Sequence, residues 1–151
     1  VHGDGTVRQS VLDARARGVF FDVGHGMGSF SWKTARAMAN AGFWPDTISS
    51  DVHAMCIEGP AFDLLRTMTK FLYLGMPLEQ VISSATNNAA TAIGRPDLGT
   101  FAIGATGDAS VLSIDATEIQ LEDALGNVEI YDQQLFARGL VIDGAWQQAL
   151  K

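Results

Sequence analysis

Apolar and polar positions recur with two different periods along the chain, and the period changes about two-thirds of the way along. Through residues 7–94, stretches with helical spacing alternate with short, mostly apolar runs, which are typical of strands buried on both faces. Residues 99–143 show no convincing helical period and are typical of short strands separated by turns. The first part therefore predicts a parallel sheet with helices packed outside it, and the second part predicts a small antiparallel sheet or sandwich.

The elements of the first part follow a β-α-β-α order after an initial helix. Glycines mark helix ends at Gly18, Gly42 and Gly75, and Pro77 opens the last helix. Helices are predicted over residues 7–17, 31–42, 61–74 and 77–86, and strands over residues 18–24 and 47–50. Two βα units cannot close a parallel barrel, which takes eight. We therefore expect the chain to be the end of a longer protein.

The second part begins where Gly94, Gly99, Gly104 and Gly107 suggest a series of turns. Four short strands are predicted there, over residues 109–114, 119–122, 128–131 and 140–142.

Composition narrows the class of protein. Of 151 residues, 47% are hydrophobic and 18% are charged, so the chain can bury a sizeable core. The net charge of −7 argues against nucleic acid or an anionic membrane as partner. A single cysteine, Cys56, excludes an internal disulfide and a cysteine-based zinc knuckle. No signal peptide or membrane-span pattern is visible, and the expected location is the cytoplasm.

The candidate chemistry follows the two predicted strands. In parallel α/β architectures reactive groups lie at the carboxyl ends of strands. His25 comes directly after the first strand, between Gly24 and Gly26, which we expect to leave its imidazole free to project. Asp51 comes directly after the second strand, and His53 lies two positions further on. A carboxylate and imidazoles on adjacent strand ends suit metal ligation or general acid–base chemistry.

Plainer roles remain open for the same residues. His25 fits a glycine-loop histidine that bonds only to the backbone, and Asp51 fits the N-cap of a following turn. His53 fits a site wall or a cap better than a ligand. The run GHGMG lacks the Gly-Lys-Ser/Thr ending of a phosphate-binding loop, and no Gly-x-Ser-x-Gly nucleophile elbow follows.

Two longer runs carry a family resemblance. FDVGHGMGSFS at residues 21–31 and PDTISSDVH at residues 45–53 resemble the amidohydrolase superfamily, and within it the dihydroorotase-like amidohydrolase/deacetylase branch. The likeness extends over nearly all of the chain. It continues through MTKFLYLGMPLEQVI at residues 68–82, TNNAA at residues 86–90 and GRPDLGTFAIGATGDASVL at residues 94–112. Asn88 stands where the family usually has proline, and Ser110 where an aspartate commonly follows alanine.

The resemblance implies an α/β fold made of the last two βα units of a TIM (β/α)8 barrel metallohydrolase, followed by part of a small β-sandwich domain. Residues 1–96 would be the C-terminal portion of the barrel, with strands seven and eight and their helices. Residues 97–151 would be the C-terminal segment of the sandwich. His25 would then close strand seven, and Asp51 would match the aspartate that ends strand eight.

The resemblance also implies a metal-dependent hydrolase of an amide or acyl ester bond in a cyclic amide, an N-acyl amino acid or an acetylated hydroxy acid. Asp51 would be the catalytic residue and a metal ligand that also shuttles a proton. The cofactor would be zinc or another divalent metal, two ions in all, with most ligands outside this chain. His25, Gly26, Ser29 and His53 would contact the substrate.

The implied partners are a small-molecule substrate and the remainder of the barrel, in the same protein or in another subunit. One aspartate and one nearby histidine cannot hold a binuclear centre, so the chain alone is expected to be inactive. The alternative is a catalytically dead structural or assembly module that pairs with another subunit.

Overall fold

The elements were located in a computed structural model, which describes residues 1–148. The helices are α1 (Gln9–Ala16), α2 (Trp32–Asn40), α3 (Leu64–Tyr73), α4 (Leu78–Ala85) and α5 (Asn87–Ala92). The strands are β1 (Asp22–Gly24), β2 (Thr47–Ser49), β3 (Ala109–Glu122), β4 (Val128–Ile142) and β5 (Ala145–Gln148). None of the helices among these residues is long and apolar enough to cross a membrane.

Strands β1 and β2 lie parallel, joined by α2, with Asp22 opposite Thr47 and Gly24 opposite Ser49. Within the described residues, β1 pairs with β2 alone. The prediction of a strand over residues 18–24, buried on both faces, is therefore wrong in its length and burial. Val19 and Phe20 precede the paired segment and stay about half exposed, and among the described residues no strand pairs with them.

The third helix begins where its sequence caps it. The Asp63 carboxylate accepts a hydrogen bond from the Arg66 backbone N–H at 2.6 Å, which satisfies one of the free donors of the first turn. One face of the helix buries Met68 and Phe71 in the core. Gly75, with φ of +90°, ends the helix in the left-handed conformation that favours glycine.

The second part forms one antiparallel sheet in the order β3-β4-β5. The prediction of four short strands is wrong, because the first two join into β3, the last two join into β4, and β5 was not predicted. Register shifts between Val111 and Leu112 and between Ala116 and Ile119 account for the error. Such irregularities interrupt the strict alternation of apolar and polar positions without ending the strand.

A single buried cluster joins the two parts of the chain. It contains Phe30, Trp32, Ile48, Met68, Phe71, Met76, Val81, Ile119, Leu121 and Leu135. The boundary between residues 96 and 97 stays a prediction, but the β3–β4 hairpin is fixed by this core against the segment that follows β1. The hairpin therefore lies close to the strand ends at which the sequence placed the candidate chemistry.

Candidate functional site

Two loops at the carboxyl ends of β1 and β2 form the candidate site. We call residues 25–31 the first site loop and residues 50–60 the second site loop. They begin side by side, because the Gly26 N–H donates a hydrogen bond to the Ser50 carbonyl at 2.9 Å. The first loop then turns sharply, with the Ser29 N–H donating to the His25 carbonyl at 3.1 Å. The predicted juxtaposition of the two strand ends is thus present.

Asp51 is exposed at the start of the second site loop, and its backbone is left-handed, with φ of +49°. Aspartate is one of the few residues other than glycine that visits this region. The carboxylate lies against Gly26, where an added Cβ would be 2.5 Å from Asp51 Oδ2. A Cβ added at Gly24 would be 3.1 Å from Asp51 Cβ. The glycines of the first strand end therefore make room for the Asp51 side chain.

An open cavity of about 510 Å³ lies over this strand end. Its lining residues are Asp22, Val23, Gly24, Ser29, Ser49 and Asp51. Of the predicted site residues, Asp51 and Ser29 line the cavity, whereas His25, Gly26 and His53 are not among the lining residues. The structure thus brings together one carboxylate and one hydroxyl from the predicted set.

Two lining residues were missed by the sequence reasoning. The Asp22 carboxylate accepts hydrogen bonds from Thr47 Oγ1 at 2.7 Å and from Ser49 Oγ at 2.6 Å. Side chains alternate between the two faces of a strand, so positions 47, 49 and 51 share one face with position 22 on the neighbouring strand. Polar residues at every second position of the second strand therefore indicated that Asp22 and Ser49 share a face with Asp51.

His25 does not project into the cavity. Its ring is completely buried and stacks on Phe30, with 4.9 Å between the ring centroids and 15° between the planes. Nδ1 lies 3.0 Å from the Gly26 carbonyl oxygen, and Nε2 lies 2.6 Å from Lys70 Nζ. The expectation that the flanking glycines leave the imidazole free to project is wrong, because Phe30 and Lys70 enclose it. Direct contact between His25 and substrate stays a prediction.

Lys70 is a third residue that the sequence reasoning missed. It is completely buried on α3, where its Nζ lies 2.6 Å from His25 Nε2 and donates to the Pro60 carbonyl at 2.8 Å and to the Glu122 carbonyl at 2.5 Å. Burial, together with the charge of Arg66, lowers the pKa of Lys70 to about 7. Burial and the charge of Lys70 lower the pKa of His25 as well. The sequence could have indicated this residue, because a lysine on the otherwise apolar face of a helix is expected to be buried and to need hydrogen-bond partners.

His53 is exposed at the edge of the site. Its backbone N–H donates to Cys56 Sγ at 3.3 Å, and its Nδ1 accepts from the Met55 N–H at 3.3 Å. The imidazole therefore closes a local turn, as the plainer interpretation of a capping residue expects. A contact between His53 and substrate stays a prediction.

Asp51 has the chemistry of a metal ligand, since an exposed carboxylate at a cavity offers the oxygen donors that zinc and other divalent cations accept. Within residues 1–148, no group of three or more His, Cys, Asp or Glu side chains is arranged to hold a metal ion. Asp51 therefore fits as one ligand of a centre, and such a centre would need further ligands from outside these residues.

A family model and three related sequences all match this chain. The model of the amidohydrolase family matches residues 30–142. The chain is 33% identical to a deacetylase of Brucella anthropi, over 83% of this chain and 31% of the relative. It is 34% identical to a deacetylase of Agrobacterium fabrum, over 74% of this chain and 27% of the relative. A deacetylase of Enterococcus faecalis is 30% identical, over 91% of this chain and 38% of the relative. The chain thus spans about a third of the length of these relatives.

Solved structures agree with the sequence relatives. A crystal structure of an adenine deaminase matches 95% of this chain and 39% of its own, with a TM-score of 0.90 and 28% identity. A crystal structure of a dihydroorotase matches 92% of this chain and 38% of its own, with a TM-score of 0.80 and 30% identity. The chain therefore folds as a mixed helix-and-sheet part of the larger amidohydrolase barrel proteins. The resemblance drawn from the two strand-end runs is confirmed, and the chain belongs to the amidohydrolase family.

Proposed function

We propose that the protein containing this chain is a metal-dependent hydrolase of an amide or acyl ester bond, and that Asp51 is the reacting group this chain contributes. One observation carries the proposal: the Asp51 carboxylate stands at the end of β2, in an open cavity, against a glycine that leaves it room. Relatives named deacetylase and a structural neighbour named dihydroorotase support an acyl C–N bond as the substrate class.

In this proposal β1 and β2 are strands seven and eight of the barrel, and β3 to β5 belong to a small β-sandwich. The open edge of β1 supports this arrangement, since within the described residues β1 pairs with β2 alone. The remainder of the barrel, in the same protein or in another subunit, would cover that edge and supply the other metal ligands. The chain alone would then be inactive, because Asp51 offers a single ligand.

Asp51 has two tasks in the proposed reaction. Asp51 would help to hold a divalent cation, which when bound would lower the pKa of water to about 7 and polarise the substrate carbonyl. The Asp51 carboxylate accepts the proton of the attacking water at an Oδ atom and delivers it to the leaving nitrogen or oxygen. Its exposed position supports both tasks, because an oxygen that faces the cavity can reach water and the leaving group.

The substrate side of the site combines one hydroxyl with an apolar rim. Ser29 lines the cavity and is placed to hydrogen-bond to a polar group of the substrate. Met27, Met55 and Ile57 are exposed on the two site loops and offer an apolar surface for an acyl or aryl group. His53, also exposed, would contact the substrate at the rim. A small molecule with one polar and one apolar end fits this arrangement.

The decisive experiment replaces Asp51 by asparagine in the full-length protein. Turnover of N-acyl amino acids, cyclic amides and acetylated hydroxy acids would be measured with added zinc. We expect Asp51→Asn to lower kcat by a factor of about 10² or more, as loss of a proton-transferring group does. Asp97→Asn is the matched control, because this carboxylate is fully outside the cavity and pairs with Arg95.

Two results would count against the proposal. Wild-type turnover by Asp51→Asn would show that this carboxylate is not the reacting group. Absence of turnover by the wild-type full-length protein, with every substrate class and with several divalent metals, would favour the alternative of a catalytically dead assembly module.

A further inference from the structure

The strongest unexplained feature outside the cavity is the buried Lys70 ammonium. Its three hydrogen-bond partners belong to three separate segments: His25 in the first site loop, Pro60 in the second site loop, and Glu122 at the end of β3. We propose that Lys70 is a positioning residue that holds the two site loops and the β3–β4 hairpin in the arrangement that places Asp51. This inference rests on the proposed function only in taking Asp51 as the reacting group.

The chemistry of Lys70 favours a role in hydrogen bonding over one in packing. Removing an ammonium from water is costly, and a buried charge is tolerated when its hydrogen bonds are satisfied. Lys70 Nζ has three hydrogen-bond partners, and none of the ion pairs found within residues 1–148 includes it. A methionine of similar volume would fill the space without this desolvation cost.

A count of protons shows how Lys70 and His25 act together. Four hydrogen bonds surround the pair: three at Lys70 Nζ, and one between His25 Nδ1 and the Gly26 carbonyl. Four bonds need four N–H protons, but a neutral amine and a neutral imidazole supply only three. All four hydrogen bonds can form together only when the pair carries one extra proton. The extra proton can sit on Lys70 Nζ or on His25 Nε2. In both cases His25 Nδ1 carries a hydrogen and donates it to the Gly26 carbonyl.

A short path connects this pair to Asp51. His25 is bonded to Gly26 in the chain, and its ring also contacts the Gly26 carbonyl. Gly26 in turn donates to Ser50 and lies against Asp51 Oδ2. Lys70 therefore fixes the residue on which the Asp51 carboxylate rests, and through Pro60 it fixes the other end of the second site loop.

The hairpin also holds the end of the first site loop and the start of α2. The Ala124 N–H donates to the Phe30 carbonyl at 2.9 Å, and the Asp123 carboxylate accepts from the Trp32 N–H at 3.0 Å. Together with the bond from Lys70 to Glu122, these contacts make the β3–β4 hairpin part of the scaffold of the site. The second part of the chain thus helps to hold the site loops in place.

The first test is Lys70→Met in the full-length protein, with Arg66→Met as the matched control. Arg66 lies one turn earlier on α3 and donates to the Gln120 carbonyl at 3.1 Å, but it bonds to neither His25 nor Pro60. We expect Lys70→Met to lower kcat by about 10–100-fold with a smaller change in KM, as loss of groups that orient a reacting residue does. We expect Arg66→Met to keep the wild-type kcat, because loss of the Arg66 charge favours the protonated Lys70 and leaves its three hydrogen bonds in place. An unchanged kcat in Lys70→Met, even with lowered thermal stability, would overturn the inference.

The second test needs no variant, and so it decides even if Lys70→Met fails to fold. Nitrogen-15 NMR of the wild-type imidazoles reports which ring nitrogen carries hydrogen. We expect His25 to show a protonated Nδ1, and a bare Nδ1 would contradict the proton count and overturn the inference. The proposed function fails separately: turnover retained in Asp51→Asn would refute the role of Asp51 while leaving the Nδ1 signature intact.

Discussion

Replacing Gly26 by alanine tests whether glycine is needed there to make room for the Asp51 carboxylate. Two costs can be worked out from the structure. The left-handed backbone, with φ of +48°, costs an L-residue about 1–2 kcal/mol. The new Cβ would lie 2.5 Å from Asp51 Oδ2 and 3.2 Å from Cγ, well inside van der Waals contact. Because Asp51 is exposed, its carboxylate can relieve this overlap by moving away.

If the carboxylate moves away, the steric overlap with the new Cβ costs little stability, but the displaced Asp51 no longer stands where the reaction needs it. A displacement of about 1 Å at a reacting group can lower activity about 10²-fold. We therefore expect Gly26→Ala to lose about 1–2 kcal/mol of stability, which is the backbone term, and to lose most of its kcat. Thermal unfolding midpoints and kcat of the full-length protein would be measured side by side.

Two other glycines separate the backbone cost from the steric cost. Gly42 has φ of +67° and no heavy atom within 4 Å of an added Cβ, so Gly42→Ala carries the backbone cost alone. Gly28 lies in the same loop as Gly26, without a positive φ and also in open space, so Gly28→Ala carries neither cost. We expect Gly26→Ala and Gly42→Ala to lower the midpoint similarly, and only Gly26→Ala to lose activity. Wild-type kcat in Gly26→Ala, or an equal loss in Gly42→Ala, would refute the reasoning.

Two further predictions concern the hairpin turn and the apolar rim. Burial acts to raise the pKa of Asp123, but hydrogen bonds from Trp32 and Asn127 outweigh it and hold the pKa below its usual 3.8. Its stabilisation is therefore present above that value and is lost as pH falls through the folded pKa. Asp123→Asn should lower the free energy of unfolding by about 1–3 kcal/mol at neutral pH. Its thermal midpoint should also fall less steeply on acidification than that of the wild type. Parallel curves of midpoint against pH would argue against this. Met55→Ser should raise KM for substrates with a large acyl or aryl group, with little change in kcat or in KM for acetyl substrates. An equal rise in KM for the two substrate classes would show that the rim does not contact the acyl group.

The position of Asp51 could be predicted from the sequence because it depends on local signals. Short apolar runs, each followed by polar residues, placed two parallel strand ends next to each other. The family resemblance then singled out the aspartate at the second end. The capped start of α3 at Asp63 shows the same dependence on neighbouring residues, since its partner is the Arg66 N–H three positions later. Features of this kind need no knowledge of distant parts of the chain.

The surroundings of His25 could not be predicted, because they depend on contacts between distant segments. Lys70 lies 45 positions away along the chain, and the Glu122 carbonyl that helps to hold Lys70 comes from the second part of the chain. Flanking glycines permit several directions for the ring, and only the packing of Phe30 and α3 selects one of them. The long strands were missed for a different reason, since the register shifts in β3 disguise its alternation.

The metal content of the full-length protein tests the central claim most directly, namely that Asp51 is one ligand of a metal centre completed by residues outside this chain. Metal per chain would be measured by elemental analysis for the wild type, Asp51→Asn and Asp97→Asn after identical dialysis, with molar mass determined in parallel. We expect about two divalent ions in the wild type and in Asp97→Asn, as in two-metal hydrolase sites, and fewer in Asp51→Asn. Equal metal retained by Asp51→Asn, or a wild-type protein that binds none when zinc is supplied, would contradict the account.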